Sequence, residues 1–431
     1  MSAVASGAQA ALRDRAADLF PGGVNSPVRA FRAVGAEPLV LASGSGAYVR
    51  DVDGREYIDL IGGWGPAILG HAYPAVVEAV RAAAERGFAL GTTGPLEVEL
   101  GERIRARMPS LERLRFTSSG TEAVMSAVRV ARAATRRDLV VAFAGGYHGH
   151  SDGLLAAAGS GVATLGIPGS AGVPLEVAAT TIVLPYNDPS SVTLAFARHA
   201  GRIAAVVVEP VAANTGVIPP AAGFLEHLRD ATRADGALLV FDEVITGFRL
   251  GPGGAQARFG VRPDLTTLGK VIGGGLPIGA YGGRRELMDL VAPAGPVYQA
   301  GTQSGHALAM AAGIATLDAL PAEAYLALDA SGEALEAGLR EAAADAGATV
   351  SISRVGSLLT VFFRPTPPLD ATEAAESNRD AYAAFFRAMI DAGVLLPPSP
   401  FEAWFLSLAH GEAEIARIVE AARAAFRAAR G

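Results

Sequence analysis

Of the 36 lysines and arginines in this chain, one is a lysine, Lys270, and the other 35 are arginine. Arginine carries a charge as well as lysine does, but it cannot lose its proton or condense with an aldehyde. A composition that replaces lysine everywhere else points to a need for a nucleophilic amine at 270. The surrounding segment 263–283, PDLTTLGKVIGGGLPIGAYGG, is glycine-rich and apolar, which favours the neutral, reactive amine. The bland alternative is a lysine retained by chance on a solvated loop.

Three other groups have chemistry to match. Asp242 and Glu243 close the apolar run ALLVF, and Glu209 closes VVV, with Pro210 and Asn214 after it. An acid at a strand end is either a helix cap or a functional carboxylate. The segment FTSSGTE (116–122) puts Ser118, Ser119, Gly120 and Thr121 at the start of a helix. It reads as a capping sequence and equally as an anion cradle, because unpaired N–H groups and the helix dipole both favour a phosphate there. Tyr147, His148 and His150 fall in the glycine-dense stretch AGGYHGHSDGLL (144–155). A His-x-His pair suggests metal, but no HExxH is present and only Asp152 lies nearby. An aromatic beside a strand end is better suited to stacking on a flat heterocycle. The GK at 269–270 is no P-loop, since Val271 stands where Ser or Thr belongs and Asp264 where glycine does. One amine, an upstream acid, a phosphate-sized helix end and a stackable ring together form the inventory that pyridoxal phosphate requires.

These groups need a scaffold to converge. The runs LVVAF (139–143), AAVVVEP (204–210) and ALLVFDEV (237–244) are apolar on consecutive residues, as strands covered on both faces are. Helical stretches at 121–135 and 223–236 lie between them, and such alternation predicts a parallel sheet with ligands beyond its carboxyl ends. DVDG (51–54) predicts a hairpin turn. Long Ala/Glu/Arg/Leu helices at 321–347 and 411–430 around SLLTVFFRP (357–365) predict a smaller α+β unit. The expected organisation is an N-terminal segment 1–65, a large α/β domain 66–318 and a C-terminal α+β domain 319–431.

Composition narrows the classes further. The formal charge of −7 argues against nucleic acid as a partner, and the absence of cysteine excludes thiol catalysis and disulfides. No apolar run reaches the roughly 18 residues of a membrane helix. Residues 1–20 carry Asp14 and Asp18 and read as an amphipathic helix, with cytoplasm the expected compartment.

The motifs PGGVNSPVRAF (21–31), WGPAILGH (64–71), SSGTEAVMSAVRVAR (118–132), GYHGHSDGLL (146–155), DEVITGFR (242–249), GKVIGGGLPIGAYGGR (269–284), GPVYQAGT (295–302) and PPSPFEAWFLS (397–407) resemble the glutamate-1-semialdehyde aminomutase family. That family lies within the class III, fold-type I group of pyridoxal-phosphate aminotransferases, and the resemblance spans almost the whole chain. It implies a fold-type I α/β transferase: a large domain with a mostly parallel sheet flanked by helices, plus a smaller α+β domain from the N- and C-terminal segments. By resemblance, Lys270 is the Schiff-base lysine, Asp242 the partner of the pyridine nitrogen, and Tyr147 the stacking aromatic. Ser119, Gly120 and Thr121 match the phosphate turn. Thr302 matches a phosphate ligand supplied by the neighbouring subunit, which implies a homodimer. Ser26 and Arg29 match the substrate-carboxylate site, while Trp64, Ser160 and Glu402 match the pocket and its gate. The glycine-rich segment 149–173 is the expected lid. The implied reaction isomerises (S)-4-amino-5-oxopentanoate to 5-aminolevulinate through 4,5-diaminovalerate, using the pyridoxamine and pyridoxal forms of the cofactor and no metal. The alternative is a class III aminotransferase acting on a β- or ω-amino acid with a separate acceptor. Two departures, His306-Ala307 in SGHALAM and Gly63 before Trp64, bear on the pocket or the subunit contact.

Overall fold

The computed structural model describes residues 7–157 and 167–430. The chain divides into two compact units: Met1–Tyr73 with Leu326–Pro367 and Glu373–Gly431, and Pro74–Tyr325 with Pro368–Thr372.

The second unit is built on a seven-stranded sheet. Its strands in chain order are β1 (Arg113–Thr117), β2 (Leu139–Phe143), β3 (Thr181–Leu184), β4 (Ile203–Val208), β5 (Leu238–Asp242), β6 (Leu265–Gly269) and β7 (Gly279–Gly283). Their spatial order is β1-β7-β6-β5-β4-β2-β3. Only β7 runs antiparallel to its neighbours, so the carboxyl ends of the other six lie on one edge. The unbroken apolar runs of β2, β4 and β5 are fully buried, as two-sided cover requires. The helix Gly120–Thr135 supplies part of that cover: Ala123, Val124, Ala127, Val128 and Ala131 repeat at helical spacing and pack on Val140, Val207, Val240 and Leu265.

β7 carries no strand-forming sequence beyond Tyr281. Its glycines are required by approach instead: a Cβ on Gly279 would sit 2.1 Å from the Ser119 carbonyl, and one on Gly283 2.1 Å from the Asp264 carbonyl. A side chain at 279 would push the Ser119 turn out of place.

The other unit joins distant parts of the chain. Leu41–Ser45, Tyr48–Asp51 and Glu56–Asp59 form an antiparallel meander around the expected Asp-Gly turn, and Val394–Leu395 adds in parallel beside Glu56–Asp59. A second sheet pairs Ser351–Val355, Leu358–Phe362 and Trp404–Phe405. The core of this unit is aromatic, with Phe385 stacked on Trp404 and tilted against Phe426 at 4.6 Å between centroids. The helices Ala8–Leu19, Ala322–Ala346 and Glu412–Ala428 fall where periodicity places them. Among the described residues no single helix is long and apolar enough to cross a membrane.

Candidate active site

The carboxyl edge of the large sheet gathers the predicted groups. β5 ends on Asp242, which is 5% exposed. Alternation along the chain separates the two consecutive acids. Glu243 turns away and accepts from the Ala255 and Gln256 N–H groups, Gln256 Nε2 and Thr246 Oγ1. It anchors the helix Gly254–Phe259, and burial pushes its carboxyl up against the pull of those donors. Asp242 faces the edge. Its Oδ1 accepts from the Val244 N–H and the Thr267 hydroxyl, each at 3.1 Å, and its Oδ2 lies 2.7 Å from His148 Nδ1. A carboxylate offers about four acceptor positions. Three are engaged, which leaves room for one further donor such as a protonated ring nitrogen.

Lys270 follows directly from β6. Asp242 pairs in register with Thr267 on that strand, so Lys270 lies three residues, roughly 10 Å, further along. Its φ is +47°, a left-handed conformation that costs a side-chain-bearing residue about 1–3 kcal/mol. The turn Lys270–Gly273 is gripped from behind by the helix Ala307–Asp318, where Gly313 would place a Cβ 2.1 Å from the Ile272 carbonyl. The close helix leaves the lysine turn little freedom to relax.

The turn after β1 is the predicted capping sequence. Ser119 is the N-cap and its Oγ accepts from the Glu122 N–H at 3.2 Å; Glu122 Oε2 accepts from the Ser118 N–H. The Ala123 N–H bonds the Ser119 carbonyl. This leaves the N–H groups of Gly120 and Thr121 at the helix end, where the dipole favours an anion. Capping and phosphate holding are therefore compatible readings of one turn. A Cβ on Gly120 would meet both Val244 methyls at 3.1 Å, so Val244 lies between the cradle and the strand end.

The loop after β2 ties these parts together. Tyr147 is 52% exposed, a large ring with no core to fill. His148 beside it is buried on Asp242, and His150 Nδ1 lies 3.2 Å from Thr121 Oγ1. Burial alone would depress the His148 pKa, but the hydrogen bond and charge of Asp242, with Glu209 behind, outweigh it and hold the imidazole above its ordinary value. Sequence reasoning missed this pairing, which spans 94 positions, and likewise the roles of Thr267 and Val244. Among the described residues no cluster of His, Asp and Glu is arranged to hold a metal.

The remaining predicted residues come from other elements. Thr302 is exposed on a turn and lines a cavity of about 870 Å³ with Phe88, Leu90, Glu97 and His306. Ser26 caps the short turn Pro27–Ala30, which carries Arg29 exposed. Trp64 lies in a run of four left-handed residues, Gly62 to Gly65, held by Asp59, whose carboxylate accepts from the Ile61 and Gly62 N–H groups. Glu402 is half-buried, its carbonyl accepting from Thr360 Oγ1. Ser26, Arg29, Trp64 and Glu402 belong to the unit containing both termini, and Thr302 to the other. Ser160 and the centre of the expected lid lie outside the described residues.

An amine, a buried acid with one acceptor position left for a ring nitrogen, an anion-ready helix end and an exposed aromatic on one sheet edge define a pyridoxal-phosphate transferase of fold-type I. The chain belongs to the class-III aminotransferase family, whose model matches residues 31–403. Within that family it is 59% identical, over 96% of its own length and 97% of the relative's, to the glutamate-1-semialdehyde 2,1-aminomutase of Thermomicrobium roseum. Among solved structures it is similar to an omega-transaminase from Sphaerobacter thermophilus, with TM-score 0.93 and 34% identity over 100% of both chains. It is also similar to a glutamate-1-semialdehyde-aminomutase from Pseudomonas aeruginosa PAO1 in complex with PMP, with TM-score 0.86 and 28% identity over 97% of this chain and 93% of that one.

Proposed function

We infer that this chain is an intramolecular aminotransferase that isomerises (S)-4-amino-5-oxopentanoate to 5-aminolevulinate, a tetrapyrrole precursor. The observation that carries the reading is a single lysine, Lys270, following the strand beside the one that ends on Asp242, which keeps one acceptor position unused. Near-full-length identity to an aminomutase, well above that to the omega-transaminase, selects the reaction.

Pyridoxal 5′-phosphate, when bound, supplies an electron-withdrawing ring that acidifies the carbon next to the transferred nitrogen. The chain's residues supply the rest. Lys270 accepts and returns protons at its Nζ, serving as base and acid in turn. Asp242, backed by His148 and Thr267, would accept a hydrogen bond from the ring nitrogen. Tyr147 and Val244 would hold the heterocycle between them. The N–H groups of Gly120 and Thr121 and the Ser119 turn hold phosphate. Arg29, with Ser26, grips the substrate carboxylate through its planar fork; Trp64, Glu402 and Ser160 shape the pocket and its gate.

The active unit is a homodimer in which Thr302 completes the neighbouring subunit's phosphate site. The exposure of Phe88, Leu90 and Tyr298 near Thr302 supports this, because apolar side chains grouped on a surface favour a covering partner. The expected compartment is the cytoplasm.

The test is product formation with no added amino donor. Purified enzyme given (S)-4-amino-5-oxopentanoate alone should release 5-aminolevulinate over many turnovers. A reaction that stops after one equivalent and resumes only with an external amino acid would instead establish a transaminase.

A further inference from the structure

The loops after β2 and β4 meet on one buried carboxylate that the reaction just described does not use. Glu209, the first residue past β4, is 6% exposed. Its Oε1 accepts from the Tyr147 N–H at 2.9 Å; its Oε2 accepts from the Ala213 N–H at 3.0 Å and from Asn214 Nδ2 at 2.9 Å. All three of these partners are donors, so both oxygens of Glu209 act as acceptors. Burial, with the Asp242 charge, holds the Glu209 carboxyl above its ordinary value against the opposing pull of the His148 charge and the N–H groups of Tyr147 and Ala213. The same two loops interlock at Gly145, with φ +78°, where a Cβ would lie 2.2 Å from Thr215 Cγ2. A Cβ on Gly146 would meet His148 Nε2 at 3.3 Å and Glu209 Oε1 at 3.5 Å. The otherwise unpartnered edge of His148 and the Glu209 carboxylate thus flank the same glycine.

We propose that Glu209 is a positioning residue for cofactor binding: it fixes the backbone beneath Tyr147 and sets that ring where the heterocycle stacks. The proposal rests on the reading above, in which Tyr147 faces the cofactor. One carboxylate makes the two loops a single rigid piece. It also stands behind His148, which flanks the same glycine and bonds Asp242. Glutamine has the same shape but one acceptor oxygen, so in Glu209→Gln an amide N–H must confront either the Tyr147 N–H or the Ala213 and Asn214 donors.

The experiment is a double-mutant cycle on the affinity of the apoenzyme for pyridoxal 5′-phosphate, read by absorbance titration without turnover. Glu209→Gln should weaken binding roughly tenfold, the loss of one charge-assisted hydrogen bond. In a Tyr147→Ala background the same change should weaken it no more than about twofold, because the group it positions is gone. Equal losses in both backgrounds, or wild-type affinity in Glu209→Gln, overturn the proposal. Tyr147→Ala with undiminished affinity overturns the stacking reading and the proposal with it, which separates the two failures. Should the Glu209→Gln apoenzyme not melt cooperatively, Glu209→Asp carries the cycle. It keeps the charge but withdraws the carboxylate from Tyr147, and the same coupling is required of it.

Discussion

The Asp242 edge and the Thr302 turn belong to the same unit and differ in almost every respect. At Asp242 the polar groups are buried and held in a defined arrangement: His148 and Thr267 on the acid, Glu209 beneath the loop. At Thr302 the backbone is open, the cavity is wide, and Phe88, Leu90 and Tyr298 are more than half exposed. Charges that must act in a low dielectric are organised within one chain, where no rearrangement is needed at the moment of reaction. Under the dimer proposed above, the Thr302 surface would be one side of an interface. A proton relay tolerates little displacement, whereas a phosphate grip can be completed by a second copy.

The sharpest test of the Asp242 side is Lys270→Ala. With one lysine in the chain no neighbouring amine can substitute, so turnover should fall by at least about 10³-fold. Cofactor should remain bound without the absorbance of a lysine adduct. Retained turnover would show that the proton passes elsewhere.

The Thr302 side is broken by Thr302→Ala, which should weaken cofactor binding about 10- to 100-fold, the range for a hydrogen bond to a charged group. Mixing this variant with Lys270→Ala decides which site the threonine serves. If Thr302 reaches across, each mixed dimer regains one intact site and activity returns. If it serves its own subunit, the mixture stays as inactive as its parts.

Much of this contrast is legible in the residues, and the gaps have physical causes. Lys270 stands out by composition, and Asp242 by closing an apolar run. The helix Gly120–Thr135 announces itself with a cap and a clean period. β7 does not, because GAYGG has little strand propensity and its glycines answer to the carbonyls of Ser119 and Asp264. The Asp242–Glu243 ambiguity is resolvable in principle, since adjacent strand residues face opposite ways. The histidine behind Asp242 comes from another strand end, and only the sheet order β5-β4-β2 brings it there.

A smaller effect is expected at Arg29, exposed on its turn in the other unit. Arg29→Lys keeps the charge but loses the bidentate fork, so KM should rise about tenfold with kcat nearly unchanged. Steady-state kinetics check this split; a fall in kcat at constant KM would move Arg29 from substrate binding to chemistry.

The smallest effect tests whether the Asp242 edge is organised by charge. The His148 pKa is raised in the folded protein, so its ion pair with Asp242 contributes most below the unfolded histidine value of about 6.5. That contribution is lost as pH rises through the folded value. His148→Asn in the apoenzyme should therefore lower Tm most at about pH 6, and the gap from wild type should narrow by a few degrees toward about pH 9. A gap that widened with pH would mean that the imidazole is neutral at the fold's most stable state. Melting curves of both proteins across that range, without cofactor, distinguish the two arrangements.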